Sequence, residues 1–310
     1  MKSFEEIYSV VYSKAKDEID VIISKNRRNK LIAALVSIVT AVIIFTLFND
    51  SIYVSQFMLY FFVVGIGFLL FFTISSVMNA GYNKKYKELI IRPMINEMGS
   101  KLNYEPSHGE PESIYRNSGL NYSRYDRYNS EDQVYGKLED GSYIEFSEIS
   151  TIKEETYKDS EGHTQTREVV TFRGMFGKLE LKTEVFDHIH IEPNSTFSTF
   201  SKSRVEMDSA EFEKYFDVFS NDRIKAMQIF TSDIIEKYSN YMNATKTKIE
   251  LSISNRDIYF RVACGSMFEA PMWNNPLDEK VLRRNYGLVY YPIELLQATA
   301  ESVKRVYDNY

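Results

Sequence analysis

The sequence predicts an α+β protein: a two-helix transmembrane hairpin joined to a cytoplasmic domain in which an antiparallel sheet packs with several helices. Three observations carry this. Two long uncharged apolar runs lie between residues 31 and 78, the hydrophobic period changes from helical to alternating near residue 130, and strands are followed by helices and then by strands again.

The opening segment, 1–30, reads as an amphipathic leader helix, with Phe4, Ile7, Tyr8, Val11, Ala15, Ile19, Ile22 and Ile23 at helical spacing. The runs "LIAALVSIVTAVIIFTLFN" and "FMLYFFVVGIGFLLFFTISSVM" then predict a hairpin over 31–78, with spans at about 31–48 and 54–78. At about 1.5 Å rise per residue, some 20 apolar residues cover a hydrocarbon core of about 30 Å. The connector between them has no Lys or Arg, whereas Lys25, Arg27, Arg28 and Lys30 precede the first span and Lys84, Lys85 and Lys87 follow the second. By the positive-inside rule these flanking residues, and with them both termini, lie on the cytoplasmic side of a cell membrane crossed twice. The spans hold no ionisable residue, which argues against a proton relay or charged ion path. Gly65 and Gly67 permit close helix approach.

A juxtamembrane helix over 79–102 repeats the amphipathic pattern, with Pro93 expected to kink it or to start a new helix. The rest, 103–310, is the cytoplasmic domain. Residues 1–30 carry a net +2 and 79–101 a net +3, while 102–310 carry −10 of the chain's −6 total. Basic charge therefore sits where anionic headgroups would be, and the acidic domain argues against nucleic acid as a partner. The one cysteine, Cys264, excludes an intrachain disulfide.

Within the domain, "DQVYGKL", "EDG" and "SYIEF" form a hairpin. Face parity requires a three-residue loop, Glu139 to Gly141, so that Val134, Gly136, Leu138, Ile144 and Phe146 share one face. The strand runs on through "ISTIKEETY", turns at "KDSEGHTQ" and returns as "REVVTFRGMFGKLELK", with Gly174 and Gly177 expected at bends or bulges. "DHIHIEP" places His188 and His190 on one strand face. Three helices follow, "SAEFEKYF" with a capping-box start at Asp208 and Glu211, "DRIKAMQIF", and "SDIIEKYSNYM" with Ile234, Ile235, Tyr238 and Met242 inward. A hairpin of "KIELSI" and "DIYFRVA" and a closing helix from Pro292 complete the domain.

The motifs "YKELIIRPMINEMGSKLNYEP", "YNSEDQVYGKLEDGSYIEFSEI", "FRGMF" and "FEKYFDVFSNDRIKAMQIFTSDIIEKY", in that order, resemble the bacterial membrane family known as "domain of unknown function 3137" over about 82–262. The chain departs from that pattern at Phe230, Thr231 and Ser232, where the resemblance implies Leu-Thr-Pro. The resemblance implies a bacterial membrane protein with a cytoplasmic domain and supplies no catalytic residues.

No constellation of catalytic, cofactor-binding or metal-ligating residues is visible, and no cofactor is expected. Glu131 and Asp132, an adjacent acidic pair at a strand start that also matches the family motif, are the candidate binding positions. The sequence thus favours a non-enzymatic binding or scaffold module recruiting a protein or lipid partner to the bilayer, itself a candidate homo-oligomer. The alternatives are an accessory or pore-forming subunit of a transport complex, and a membrane-surface enzyme using Glu131 and Asp132 or His188 and His190.

Overall fold

The computed structural model describes residues 1–48, 56–99, 101–121, 123–194, 203–271 and 274–308. The connector of the expected transmembrane hairpin lies outside the described residues. Two compact units emerge: one of residues 9–90 with 269–281, the other of 1–8, 91–268 and 282–310.

The first unit is built on two helices long and apolar enough to cross a membrane. Helix α1, Phe4–Phe48, is continuous, so the expected leader and first span are one helix with no break at residue 30. Helix α2 is Gln56–Tyr86. Across the spans the apolar side chains face outward: Leu31 is 71% exposed, Leu47 72%, Phe61 78% and Val77 77%. Soluble core helices bury such residues, whereas a helix in lipid has no reason to. The hydroxyls of Thr40, Thr46 and Thr73 donate to carbonyls of their own helices, which leaves no polar group facing outward unsatisfied at those positions. Gly67 sits against Ala41, and the Phe45 and Tyr60 ring centroids stand 5.3 Å apart.

Helix α2 runs into a π-helical turn, Lys87–Ile91, and then α3, Arg92–Met98, whose first turn carries Pro93. Proline lacks an N–H and its ring crowds the carbonyl four residues back, so a wider turn just before it relieves the clash. Of the two sequence expectations at Pro93, a kink or a new helix, the structure shows the second, since α3 starts at Arg92.

The second unit centres on a seven-stranded antiparallel sheet in the order β1-β2-β3-β4-β6-β5, with β7 also paired to β4. The strands are β1 Leu102–Glu105, β2 Arg127–Lys137, β3 Tyr143–Lys158, β4 Thr164–Pro193, β5 Arg204–Val205, β6 Phe216–Ser220 and β7 Ile249–Val262. The short helices are α4 Glu112–Asn117, α5 Ala210–Glu213, α6 Arg223–Ile229 and α7 Ser232–Thr245, and the long closing helix is α8 Glu279–Tyr307.

The β2–β3 hairpin has the loop that face parity requires. Leu138 N donates to Ser142 O at 2.9 Å, enclosing Glu139, Asp140 and the left-handed Gly141, and Val134, Ile144 and Phe146 are fully buried on one face. Gly136 pairs with Ile144 and Val134 with Phe146, as the apolar pattern demands.

Four expectations are corrected. Gly174 and Gly177 hold regular register opposite Ile149 and Phe146, and the bulge lies instead at Thr171 of β4, the extra residue between Phe172 opposite Thr151 and Val170 opposite Ile152. Gly177 is needed because a Cβ there would run into the carbonyl of Glu145 and the side chain of Phe146. The segments "KIELSI" and "DIYFRVA" do not pair with each other. Both belong to β7 and pair with β4, Leu251 opposite Ile191 and Val262 opposite Met175, with Asn255 in a left-handed conformation where the strand bends. "SAEFEKYF" yields only the one-turn α5, capped by Ser209 and not Asp208, because Phe216 onward is drawn into the fully buried strand β6. Helix α8 starts at Glu279, with Pro292 inside it. Its buried stripe of Leu282, Val289, Ile293, Leu296 and Val303 continues on both sides of the proline and outweighs the single hydrogen bond lost.

The sheet has two unlike faces. One carries Val134, Ile144, Phe146, Ile189, Ile191, Leu251, Ile253 and Phe260, all essentially inaccessible. Helices α6, α7 and α8 are tied together by the Tyr238 hydroxyl against Thr299 at 3.4 Å and by Ser302 Oγ donating to Ile229 O at 2.7 Å. In α7 Ile234, Tyr238 and Met242 are buried as expected, while Tyr241 takes the place of the half-exposed Ile235. The other face is more polar, and α4 covers part of it through a cluster of Tyr115, Leu120, Ile149 and Phe176 flanked by Tyr125 and Tyr128.

Candidate functional site

The acidic pair falls on a β-bulge. Glu131 pairs with Glu148 and Val134 with Phe146, so Asp132 and Gln133 together stand opposite Ser147. The extra residue forces Asp132 into a left-handed conformation, φ 59°. Asp tolerates that region better than most residues because its short side chain can satisfy neighbouring groups. The bulge turns backbone groups outward, and a neighbouring segment takes them up: Asp132 N donates to Pro106 O at 3.2 Å and Gln133 N to His108 O at 3.1 Å.

The Asp132 side chain is inaccessible and its Oδ1 accepts from the Tyr104 hydroxyl of β1. Burial, and then the neighbouring Asp132 charge, push the Tyr104 phenol far above its usual range, so it acts only as a donor. Arg92 of α3 reaches the same place, its Nη1 donating to Tyr104 O at 2.5 Å and lying 3.4 Å from Glu105 Oε1. Glu131 is exposed, with its carboxylate within 4.8 Å of that of Asp132. The bulge therefore brings the two predicted residues together, one exposed and one locked to a phenol.

A third carboxylate escaped sequence reasoning. Glu110 lies in "HGEPES", which reads as an exposed loop, yet it is 1% exposed. Gln133 Nε2 donates to Glu110 Oε1 at 3.1 Å, Glu110 N donates to Ser147 Oγ at 2.9 Å, and the Tyr128 hydroxyl donates to Glu110 O at 2.8 Å. Its second oxygen, Oε2, is buried with no hydrogen-bond partner among the described residues. Burial, reinforced by the Glu145 carboxylate, pushes the Glu110 carboxyl up to about 7. Beside it Lys178 Nζ pairs with Glu145 at 3.3 Å. Only the presence of Gln133 in the bulge and of serines opposite hinted at a polar pocket, and nothing local marks Glu110 as buried.

His188 and His190 share a strand face, as the alternation predicts, and both border one pocket on the polar side of the sheet. Of the basic residues flanking the apolar helices, Lys25, Arg27, Arg28, Lys84 and Lys85 are exposed and Lys30 is half-buried. Lys87 differs: it is buried and pairs with Glu269 at 3.7 Å within its own unit.

Residues 170–298 match the family model described as "Protein of unknown function (DUF3137)". That stretch takes in "FRGMF" and the helical motif around "DRIKAMQIF", together with β7 and most of α8. The two motifs upstream of β4 lie outside it. At Phe230 to Ser232, where the chain departs from the expected family triplet, Thr231 is the N-cap of α7. Nothing among curated proteins matches the chain. A solved structure, the mycobacterial trehalose monomycolate transport factor A, TtfA, is similar at 10% identity with a TM-score of 0.37, over 68% of this chain and 96% of that one. A likeness at that level carries no argument about this chain.

Proposed function

We propose that the protein is a membrane-anchored binding module of non-enzymatic role, which holds its α+β domain at the cytoplasmic face of a bacterial membrane and recruits a partner there. The observation that supports this most directly is the outward-facing apolar surface of α1 and α2, continuous over lengths that match a bilayer and bordered by exposed Lys25, Arg27, Arg28, Lys84 and Lys85. Each such basic residue near anionic headgroups adds roughly 1 kcal/mol of attachment. The net −10 over 102–310, by contrast, is repelled by such headgroups. A multi-pass arrangement with both termini inside follows from the basic flanks.

The test has two arms. Cysteines introduced at Lys137 and Lys182 should resist a membrane-impermeant maleimide in intact cells and react after lysis. Chemical cross-linking and purification of the intact chain in mild detergent should return a defined partner or a defined homo-oligomer. Labelling in intact cells would overturn the cytoplasmic placement, and a monodisperse monomer without companions would overturn the recruiting role.

A further inference from the structure

The polar face of the sheet carries a pocket of about 470 Å³ around His188 and His190, a size common for small-molecule sites. Three strands build it. His190 of β4 pairs with Ser252 of β7 on one side and with Phe219 of β6 on the other, and His188 N donates to Asn221 Oδ1 at 3.0 Å. The turn after α4 closes one wall. Gly119 there has φ +76°, and a Cβ on it would lie 3.1 Å from both His190 Cε1 and Ser252 Oγ, so any side chain would press into the cavity. Ser254, next along the same face of β7, extends the hydroxyl row.

The chemistry of the lining selects the ligand. Among the described lining residues there is no Asp, Glu, Lys or Arg: the polar groups are hydroxyls, amides and imidazoles. Burial, and then the proximity of His188, disfavour protonation of His190, which keeps that imidazole neutral. The strand carboxylate next to His188, Asp187, is held by Lys225 Nζ at 2.8 Å and by the Tyr307 hydroxyl at 2.8 Å. An anion entering such a site would lose hydration worth several kcal/mol with no counter-charge in return, and would approach against the field of an acidic domain. Hydroxyls exchange water for protein partners at near balance, and each lining group here can both donate and accept.

We propose that this pocket binds an uncharged polyhydroxyl ligand, of the sugar, inositol or glycerol class, with His188, His190, Ser252, Ser254 and Asn221 as its hydrogen-bonding groups and Gly119 as the wall that admits it. The assignment is independent of the recruiting role above and stands or falls on its own test. The chain has four histidines, so the full-length protein in lipid nanodiscs, labelled with ¹³C-histidine, carries two reporters in the pocket and two, His108 and His163, outside it. Titration with myo-inositol and with glucose should move the His188 and His190 signals and leave the other two in place, while inorganic phosphate should move none. Nanodiscs containing a glucosyl diacylglycerol provide a lipid-borne source of the same chemistry. Movement there, with or without movement by free sugar, supports the assignment and identifies the source.

Ser252→Ala combined with Ser254→Ala should weaken the response about tenfold or more at constant fold, the loss expected for one or two hydrogen bonds. Gly119→Val should abolish it. Silence of both pocket histidines toward all three polyhydroxyl probes, or a response to phosphate in place of them, overturns the proposal. So does an unchanged response in the double alanine variant.

Discussion

Gln133 Nε2 donates to Glu110 Oε1 at 3.1 Å, which joins the β2 bulge to a carboxyl whose other oxygen is buried with no partner among the described residues. Because burial raises the Glu110 carboxyl to about 7 in the folded chain against 4.5 when free, the folded state binds its proton more tightly than the unfolded state. The resulting stability is fully present below about pH 4.5 and is lost as pH rises through about 7, a change of about 3 kcal/mol. Glu110→Gln should remove this slope and leave the protein more stable than wild type near pH 8. Thermal melts of the intact chain in detergent across about pH 5 to pH 8 check it, and parallel slopes for the two proteins would refute it.

Asp132 needs both its shape and its acceptor. Asp132→Asn keeps a residue that accepts the left-handed conformation and an oxygen for the Tyr104 hydroxyl, and should cost under about 1 kcal/mol. Asp132→Val places a β-branched residue at φ 59° and strands the buried hydroxyl, a loss of about 2–4 kcal/mol by chemical denaturation.

Gly177 is fixed by the neighbouring strand. Its missing Cβ would meet the Glu145 carbonyl and Phe146, so Gly177→Ala should separate β3 from β4 at their centre. The expected loss is about 2 kcal/mol or more, with hydrogen exchange accelerated at Phe146 and Ser147; Gly162→Ala, in open space at the hairpin tip but at φ 85°, should cost about 1–2 kcal/mol and leave exchange at Phe146 and Ser147 unchanged.

Charge on the outward apolar surface opposes insertion. Val42→Lys should raise the insertion free energy of the first span by about 2.5–3.5 kcal/mol, whereas Ser24→Lys, among the basic flanking residues, should be neutral. Carbonate extraction of membranes reads the difference, and equal retention of both variants would argue against a lipid-facing α1.

Much of this fold is legible in the sequence because it depends on local period. The odd loop between β2 and β3 follows from which face Val134 and Ile144 share, the two apolar runs declare themselves by length, and Pro93 marks the change from the π-helical turn to α3. What the sequence conceals are choices made at a distance. "KIELSI" and "DIYFRVA" look like a hairpin because a polar tripeptide separates them, but β4 offers each a longer partner with Ile191 and Met175 already placed. Pro292 resembles a helix start, yet apolar spacing upstream at Leu282 and Val289 was sufficient to extend the helix through it. Glu110 becomes buried only when β2 and β3 arrive beneath its loop, so no window around "HGEPES" contains that information. The Glu131 and Asp132 pair was visible, whereas the bulge that divides them into an exposed and an enclosed carboxylate depends on the pairing register with β3.

Strand β4 has one further consequence, for the order of assembly. It is the shared partner of β3, β6 and β7, and its pairing with β7 joins Met175 to Val262 and Ile191 to Leu251 across long stretches of chain. A nascent domain can close the β3–β4 hairpin early, but the inner edge of β4 stays open until residues 249–262 have been made. Until then an apolar ladder is exposed, and folding waits on a pairing between distant stretches of chain.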